Sequence, residues 1–214
     1  MKSLIISPHP DDEVLGAGGT LFKRKSSKKN NSLYWIIVTK LQSNTPKIKV
    51  LRRKNEIKKI SKLFGFKKVF QLNFNTTELD SSSKKRLIKD FSDIFKKIKP
   101  YELFVPHFSD VHSDHKIVSE VISTCTKNFR FPFIKKILAY EVLSETDYNL
   151  NRKKIFFPNY YEDISKFITK KKNAMRIYKS EIKKFPFPRS IKTIDALAKL
   201  RGSQIGKNLS LIHI

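Results

Sequence analysis

Six consecutive residues near the start of the chain, Pro8-His9-Pro10-Asp11-Asp12-Glu13, put one histidine beside three carboxylates. His9 and Asp12 are three apart on what reads as a turn, so both side chains can reach one metal ion, and Asp11 between them is left free for another task. Adjacent carboxylates repel one another and resist burial unless a cation lies between them. A divalent metal is the simplest such cation. A polar turn before a helix can also carry Asp11 or Asp12 simply as an N-cap. Far along the chain stands a second cluster, His112-Ser113-Asp114-His115. A capping account has to explain both clusters separately, whereas one metal site assembled from both explains them together.

The elements that must position these residues alternate regularly. Apolar runs predict strands over 4–7, 34–38, 69–72, 103–105 and 137–141. Helical spacing predicts helices over 14–25, 48–64, 84–97 and 116–125, the second closed by Gly65 as its C-cap. The first helix is expected to end in a Lys/Ser/Asn-rich loop over 26–32. This βαβα rhythm implies an α/β fold, a Rossmann-like three-layer sandwich with a mostly parallel sheet. In such a sheet ligands bind at the carboxyl edge of the strands. Both clusters follow a predicted strand, so the active site is expected at that edge. Beyond 149 the reading is a loop rich in Phe, Pro and Tyr, then helices over 164–184 and 191–200. No repeat or long linker divides the chain, which reads as one domain over 1–208.

The chain has 214 residues and a formal net charge of +26. In isolation that charge points to nucleic acid, acidic lipid or an anionic substrate. However, the basic residues are overwhelmingly Lys, and Lys, Asn and Ile all have A/T-rich codons, so base composition is a sufficient cause. Runs such as Lys58-Lys59, Lys96-Lys97 and Lys170-Lys171-Lys172 read as solvated helix faces. The single cysteine, Cys125, excludes an intramolecular disulfide and a Cys-rich zinc site. It falls in an apolar helical pattern and is expected to be buried. No signal-peptide or membrane-span pattern is present, so a cytoplasmic protein without a transmembrane segment is expected.

His9-Pro10-Asp11-Asp12-Glu13 together with His112-Ser113-Asp114-His115 resembles the PIG-L/LmbE family of zinc-dependent N-acetylglucosaminyl deacetylases. Gly16 to Thr20 matches the family's glycine-rich helix start, and Arg53-Lys54-Asn55-Glu56 fits its R-x-x-E helix. Pro188-Arg189-Ser190 and Leu200-Arg201-Gly202-Ser203 match segments that recur in members. Ser113 stands where many members carry Pro. The resemblance implies His9, Asp12 and His115 as metal ligands, Asp11 as general base, and His112 as the residue that stabilises the oxyanion or protonates the leaving amine. It further implies that Asp114 orients His112 and that Arg53 contacts substrate. Zn2+ is the implied cofactor, although two histidines and one carboxylate also suit Fe2+. A protonated His112 and the metal together would meet the charge that develops in amide hydrolysis. Glu13 reads equally as capping, support or catalysis.

The implied substrate is an N-acetylated amino sugar, and the reaction releases acetate. Thr76-Thr77-Glu78-Leu79-Asp80 and the stretch from Tyr140 to Thr146 look similar to bacterial members of surface-polysaccharide synthesis, which suggests a nucleotide-, lipid- or glycan-linked sugar. One alternative is hydrolysis of a non-sugar amide at the same site. Another is a basic nucleic-acid-binding module with a structural metal, but structural zinc prefers four protein ligands rich in Cys. Nucleic acid is therefore not an expected partner. Residues 209–214 match a translation of the transposon end used in sequencing libraries, so native sequence is expected to stop near Asn208.

Overall fold

A computed structural model describes residues 1–27, 31–151 and 155–213. Residues 28–30 of the expected loop over 26–32, and Ile214, lie outside the described residues. The chain runs β1 (Lys2–Ser7), α1 (Asp12–Ser26), β2 (Ser32–Lys40), α2 (Lys47–Phe64), β3 (Lys68–Asn75), α3 (Lys84–Ile98), β4 (Glu102–Pro106), α4 (Ser113–Cys125) and β5 (Lys136–Tyr140). It continues through β6 (Tyr160–Asp163), α5 (Ile168–Met175), α6 (Ile191–Ser203) and β7 (Ser210–His213). The sheet order is β3-β2-β1-β4-β5-β7-β6. The first five strands are parallel, and β7 pairs antiparallel with both β5 and β6.

Side-chain alternation along the central strands divides the interior in two. On one face Ile5, Trp35 and Ile37 pack with Val14, Leu21, Ile60, Phe64 and Met175 from α1, α2 and α5. On the other, Leu4, Ile6, Ile36 and Val38 pack with Leu87, Phe91, Val118 and Val121 from α3 and α4. Helices on both faces of a parallel sheet are the expected three-layer arrangement. Cys125 is buried and unpaired, in the second of these cores. Gly65 closes α2 at φ 70°, its N–H donating to the Ser61 carbonyl.

For the site, the decisive feature is that β1 pairs with both β2 and β4. The chain leaves β1 toward β2 and β3, then returns to lay β4 on β1's other side. The carboxyl ends of β1 and β4 thus flank the point where the strand order reverses, where open α/β sheets form a crevice. His9 follows β1, and His112 and His115 follow β4.

Three expectations are corrected. The helix over 164–184 is confined to Ile168–Met175. Beyond it the chain turns, and there Tyr178 bonds Glu13 and Glu181 pairs with Arg53. The aromatic loop contains a strand, Tyr160–Asp163, too short to show an alternating pattern. Finally, Lys58, Lys59, Lys96 and Lys97 are exposed as solvated faces should be, but Lys171 is only 2% exposed. Its Nζ donates to the Leu15 carbonyl at 2.7 Å, in the seam between α5 and α1.

The seam between α1 and the sheet explains the early glycines. A Cβ on Gly16 would stand 2.1 Å from Cδ2 of Tyr140, whose hydroxyl is fastened to the Ile6 carbonyl at 2.7 Å. At Gly18 the nearest atom would be 3.4 Å away, on the Lys171 stem. Gly16→Ala should therefore lower unfolding free energy by about 1–3 kcal/mol despite its better helix propensity. Gly18→Ala should be close to neutral. Urea unfolding of the two variants checks the contrast.

Candidate metal centre and active site

The turn after β1 is held from several sides. The Pro8 carbonyl accepts from both the backbone N–H and the hydroxyl of Thr39 on β2. Asp11 takes the N-cap place of α1, its carbonyl accepting from Val14 and Leu15 N–H, but its side chain makes no cap hydrogen bond. Its backbone sits at φ 132°, ψ −25°, a conformation an L residue adopts only under constraint. Glu13 supports it from behind, accepting from Asp11 N–H at 3.1 Å and from the Tyr178 hydroxyl at 2.7 Å. Burial pushes the Glu13 carboxyl up to about 8. The Asp12 carboxylate folds back to the His9 N–H at 2.7 Å. Neither aspartate caps the helix, so both carboxylates face the crevice.

His115, from the first turn of α4, meets them there. Its Nε2 lies 3.2 Å from His9 Nδ1 and 3.4 Å from Asp12 Oδ2, and His9 Nδ1 lies 3.7 Å from the same oxygen. Ligands about 2.0–2.1 Å from a tetrahedral zinc stand roughly 3.3–3.4 Å apart, so this triangle matches three of its corners and leaves the fourth open. The remaining ring nitrogens are each committed to a carboxylate. His9 Nε2 bonds Asp114 Oδ2 at 2.8 Å, and His115 Nδ1 bonds Asp110 Oδ2 at 2.8 Å. A carboxylate behind a histidine fixes the ring and its tautomer for metal binding. His9, His112 and Asp114 form a second acid–imidazole cluster. There the His9–Asp114 separation of 2.8 Å is that of a hydrogen bond and shorter than the spacing of two ligands on a tetrahedral zinc.

The electrostatics agree that positive charge belongs in the triangle. Burial works to raise Asp12, but His115 and His9 outweigh it and hold the carboxyl at about 2. His115 resists burial through Asp12 and Asp110, which push its imidazole up to about 10. For Asp11, burial and then the Asp12 charge push the carboxyl up to about 8, against the pull of Arg189 and Arg53.

His112 caps α4, its Nδ1 accepting from the Asp114 N–H at 3.1 Å. That bond leaves the proton of the neutral ring on Nε2. Burial, reinforced by His9 and His115, pushes the ring down to about 4. The expectation of a protonated His112 therefore changes: at neutral pH the resting ring is a neutral donor. The carboxylate of Asp114 is 3.9 Å from His112 Nδ1 and bonds instead to His9, to the Thr77 N–H at 2.8 Å and to the Leu79 N–H at 3.3 Å. Asp114 hydrogen-bonds His112 through its backbone N–H, while its carboxylate stays at ion-pair range. Arg53 lines the crevice, but its guanidinium is engaged. It donates to the Pro10 carbonyl at 2.7 Å and pairs with Glu181 and Glu56.

These groups surround a cavity of about 460 Å³, within the range of small-molecule sites. His9, Asp11, Asp12, His112, His115 and Arg189 all contribute to its walls.

With the geometry in place, comparison with known proteins is direct. The family described as GlcNAc-PI de-N-acetylase (PIG-L) matches residues 4–126, more than half of the chain and both clusters. The chain belongs to the PIG-L family. A diacetylchitobiose deacetylase from Thermococcus kodakarensis is 28% identical over 195 residues, covering 84% of this chain and 70% of the relative. The crystal structure of an N,N'-diacetylchitobiose deacetylase from Pyrococcus horikoshii, complexed with its inhibitor MPG, superposes with a TM-score of 0.74 at 25% identity. It covers 100% of this chain and 82% of that one. The zinc-inhibited form of a teicoplanin deacetylase shares the fold at 13% identity and a TM-score of 0.73, over 100% of this chain and 96% of its own. Among the described residues no helix of this PIG-L protein is long and apolar enough to cross a membrane.

Sequence reading left several residues of this site unassigned. Asp110 stands two residues before the second cluster, and nothing in its spacing tied it to His115. Thr146 completes that support, donating to Asp110 Oδ1 at 2.6 Å. Arg189 bonds Asp11 Oδ2 at 2.9 Å and neighbours Glu181 at 3.5 Å. The Pro188-Arg189-Ser190 segment carried its signal, though not its partner.

If His115 is a ligand and Asp110 its support, His115→Ala should abolish stoichiometric zinc binding, and Asp110→Asn should weaken it by roughly 10–100-fold. Competition titration against a chromogenic chelator measures both. Because protons and metal compete for this triangle, zinc affinity should also fall as pH is lowered from 8 to about 6.

Proposed function

We propose that this protein is a zinc-dependent hydrolase that removes acetyl from an N-acetylated amino sugar. The observation that carries the reading is the open triangle of His9, Asp12 and His115 with the Asp11 carboxylate beside it and uncommitted to the triangle. When bound there, zinc supplies a water of lowered pKa and Lewis-acid polarisation of the amide carbonyl. Asp11, ionised once the charge of a bound metal offsets its burial, takes the proton of the attacking water, and its buried setting then favours holding that proton until the departing nitrogen can accept it. His112 donates its Nε2–H to the oxygen on which negative charge develops, without needing a prior proton. The products are acetate and the free amino sugar.

The sugar assignment is supported by the family to which the chain belongs and by its deacetylase relatives, whose named substrates share an N-acetylglucosamine unit. We take the sugar to be nucleotide-, lipid- or glycan-linked and the protein to act in the cytoplasm. Arg53, at the cavity wall, serves as a substrate contact and also holds the Pro10 carbonyl and so the turn.

Zinc-loaded protein offered a panel of N-acetylhexosamines, free and carrier-linked, should release acetate and expose a primary amine, both quantifiable. Asp11→Asn should retain zinc and lose roughly 10²–10⁴ in turnover, whereas Asp12→Asn should lose zinc as well. Activity confined to acylated amino acids would refute the sugar assignment. If Asp11→Asn strips the metal and Asp12→Asn keeps it, the two roles are reversed.

A further inference from the structure

The segment between α5 and α6 reaches the catalytic turn through two arginine contacts that share one carboxylate. Arg189 Nη1 donates to Asp11 Oδ2 at 2.9 Å and approaches Glu181 Oε2 at 3.5 Å. Glu181 pairs through its other oxygen with Arg53, whose Nη1 holds the Pro10 carbonyl at 2.7 Å. The result is an Arg–Glu–Arg clamp across the residues just before α1. One arm grips the backbone at Pro10, and the other grips the Asp11 side chain. Asp11 lies between them in a strained conformation at φ 132°. Arg189 and Glu181 both fall outside the region matched by the family, residues 4–126.

The clamp suits a positional task. A carboxylate beside a metal site can swing onto the metal as a further ligand, and Asp11 lies next to Asp12, which already faces it. A guanidinium bonded to one oxygen of Asp11 holds that carboxylate off the triangle and leaves the second oxygen free to face the attacking water. Arg189 is only 24% exposed at its side chain, and its other near neighbour is Glu145 at 4.0 Å. Its charge is thus engaged by protein carboxylates.

The geometry points to Arg189 as a positioning residue that acts through Asp11, with Glu181 as the brace that orders it. This rests on the reading of Asp11 as general base. Supporting groups of this kind change activity by roughly 10–100-fold when removed. Arg189→Met should lower kcat by about that factor with KM within about two-fold and zinc content unchanged. Arg189→Lys should recover part of the loss, since it keeps the charge without the planar fork that bridges Asp11 and Glu181. Glu181→Gln should give a smaller loss of the same kind.

The deciding measurement is a double-mutant cycle with Asp11→Asn, read on acetate release from the best N-acetyl sugar. If Arg189 acts through Asp11, adding Arg189→Met to Asp11→Asn should change kcat by less than about two-fold. Loss of the same factor on both backgrounds would overturn the proposal, as would a raised KM with unchanged kcat, because either makes Arg189 a direct contact to substrate. If Arg189→Met does not fold, the same cycle is run with Arg189→Lys. Should the wild type release acetate from no N-acetyl sugar, the proposed function fails on that result alone. The clamp is then judged by thermal unfolding of the same four proteins. Non-additive shifts in Tm support the Arg189–Asp11 link, and additive shifts refute it.

Discussion

Two adjacent carboxylates, each only 3% exposed, set the terms for the rest of this molecule. Burying Asp11 and Asp12 side by side is unfavourable unless cations flank them. The protein supplies basic groups on opposite sides. Arg189 stands against Asp11, while His9 and His115 converge on Asp12 in a triangle that could hold a divalent ion. The same division underlies the two proposed tasks: Asp12 is drawn toward the histidines and Asp11 is bonded to Arg189.

The sheet makes that division possible because of its strand order. Histidines far apart in sequence meet since β4 lies directly beside β1. Both strands are buried on both faces, so their ends are placed by two packed cores and not by a flexible loop. Carboxylates from α4 and the loop before it then orient the imidazoles, and Asp114 also ties down the stretch after β3 through Thr77 and Leu79. One acidic side chain thus couples the metal seat to a wall of the cavity.

Much of this was legible in the chain. The apolar runs 4–7 and 103–105 announced β1 and β4, and the two His/Asp clusters announced the crevice between them. The carboxyl-edge location followed from topology alone. What stayed hidden was long-range pairing between polar groups. No periodicity connects Arg189 to Asp11, Tyr178 to Glu13, or Thr146 to Asp110. A helix was expected over 164–184, but it ends at Met175, and the turns that follow carry Tyr178 to Glu13 and Glu181 to Arg53. Lys171 was hidden for a related reason, since a lysine run on a helix shows nothing of a neighbouring helix carbonyl waiting for a donor. The protonation of His112 was also beyond sequence, because it depends on burial and on two nearby imidazoles.

The central claim is an open metal seat built from two imidazoles and one carboxylate. Zinc-edge X-ray absorption of the loaded protein tests it most directly. The account predicts two imidazole ligands, a first shell near 2.0–2.1 Å without sulfur, and one light-atom ligand that exchanges when acetohydroxamate is added. A closed shell of four protein ligands, unchanged by acetohydroxamate, would contradict it.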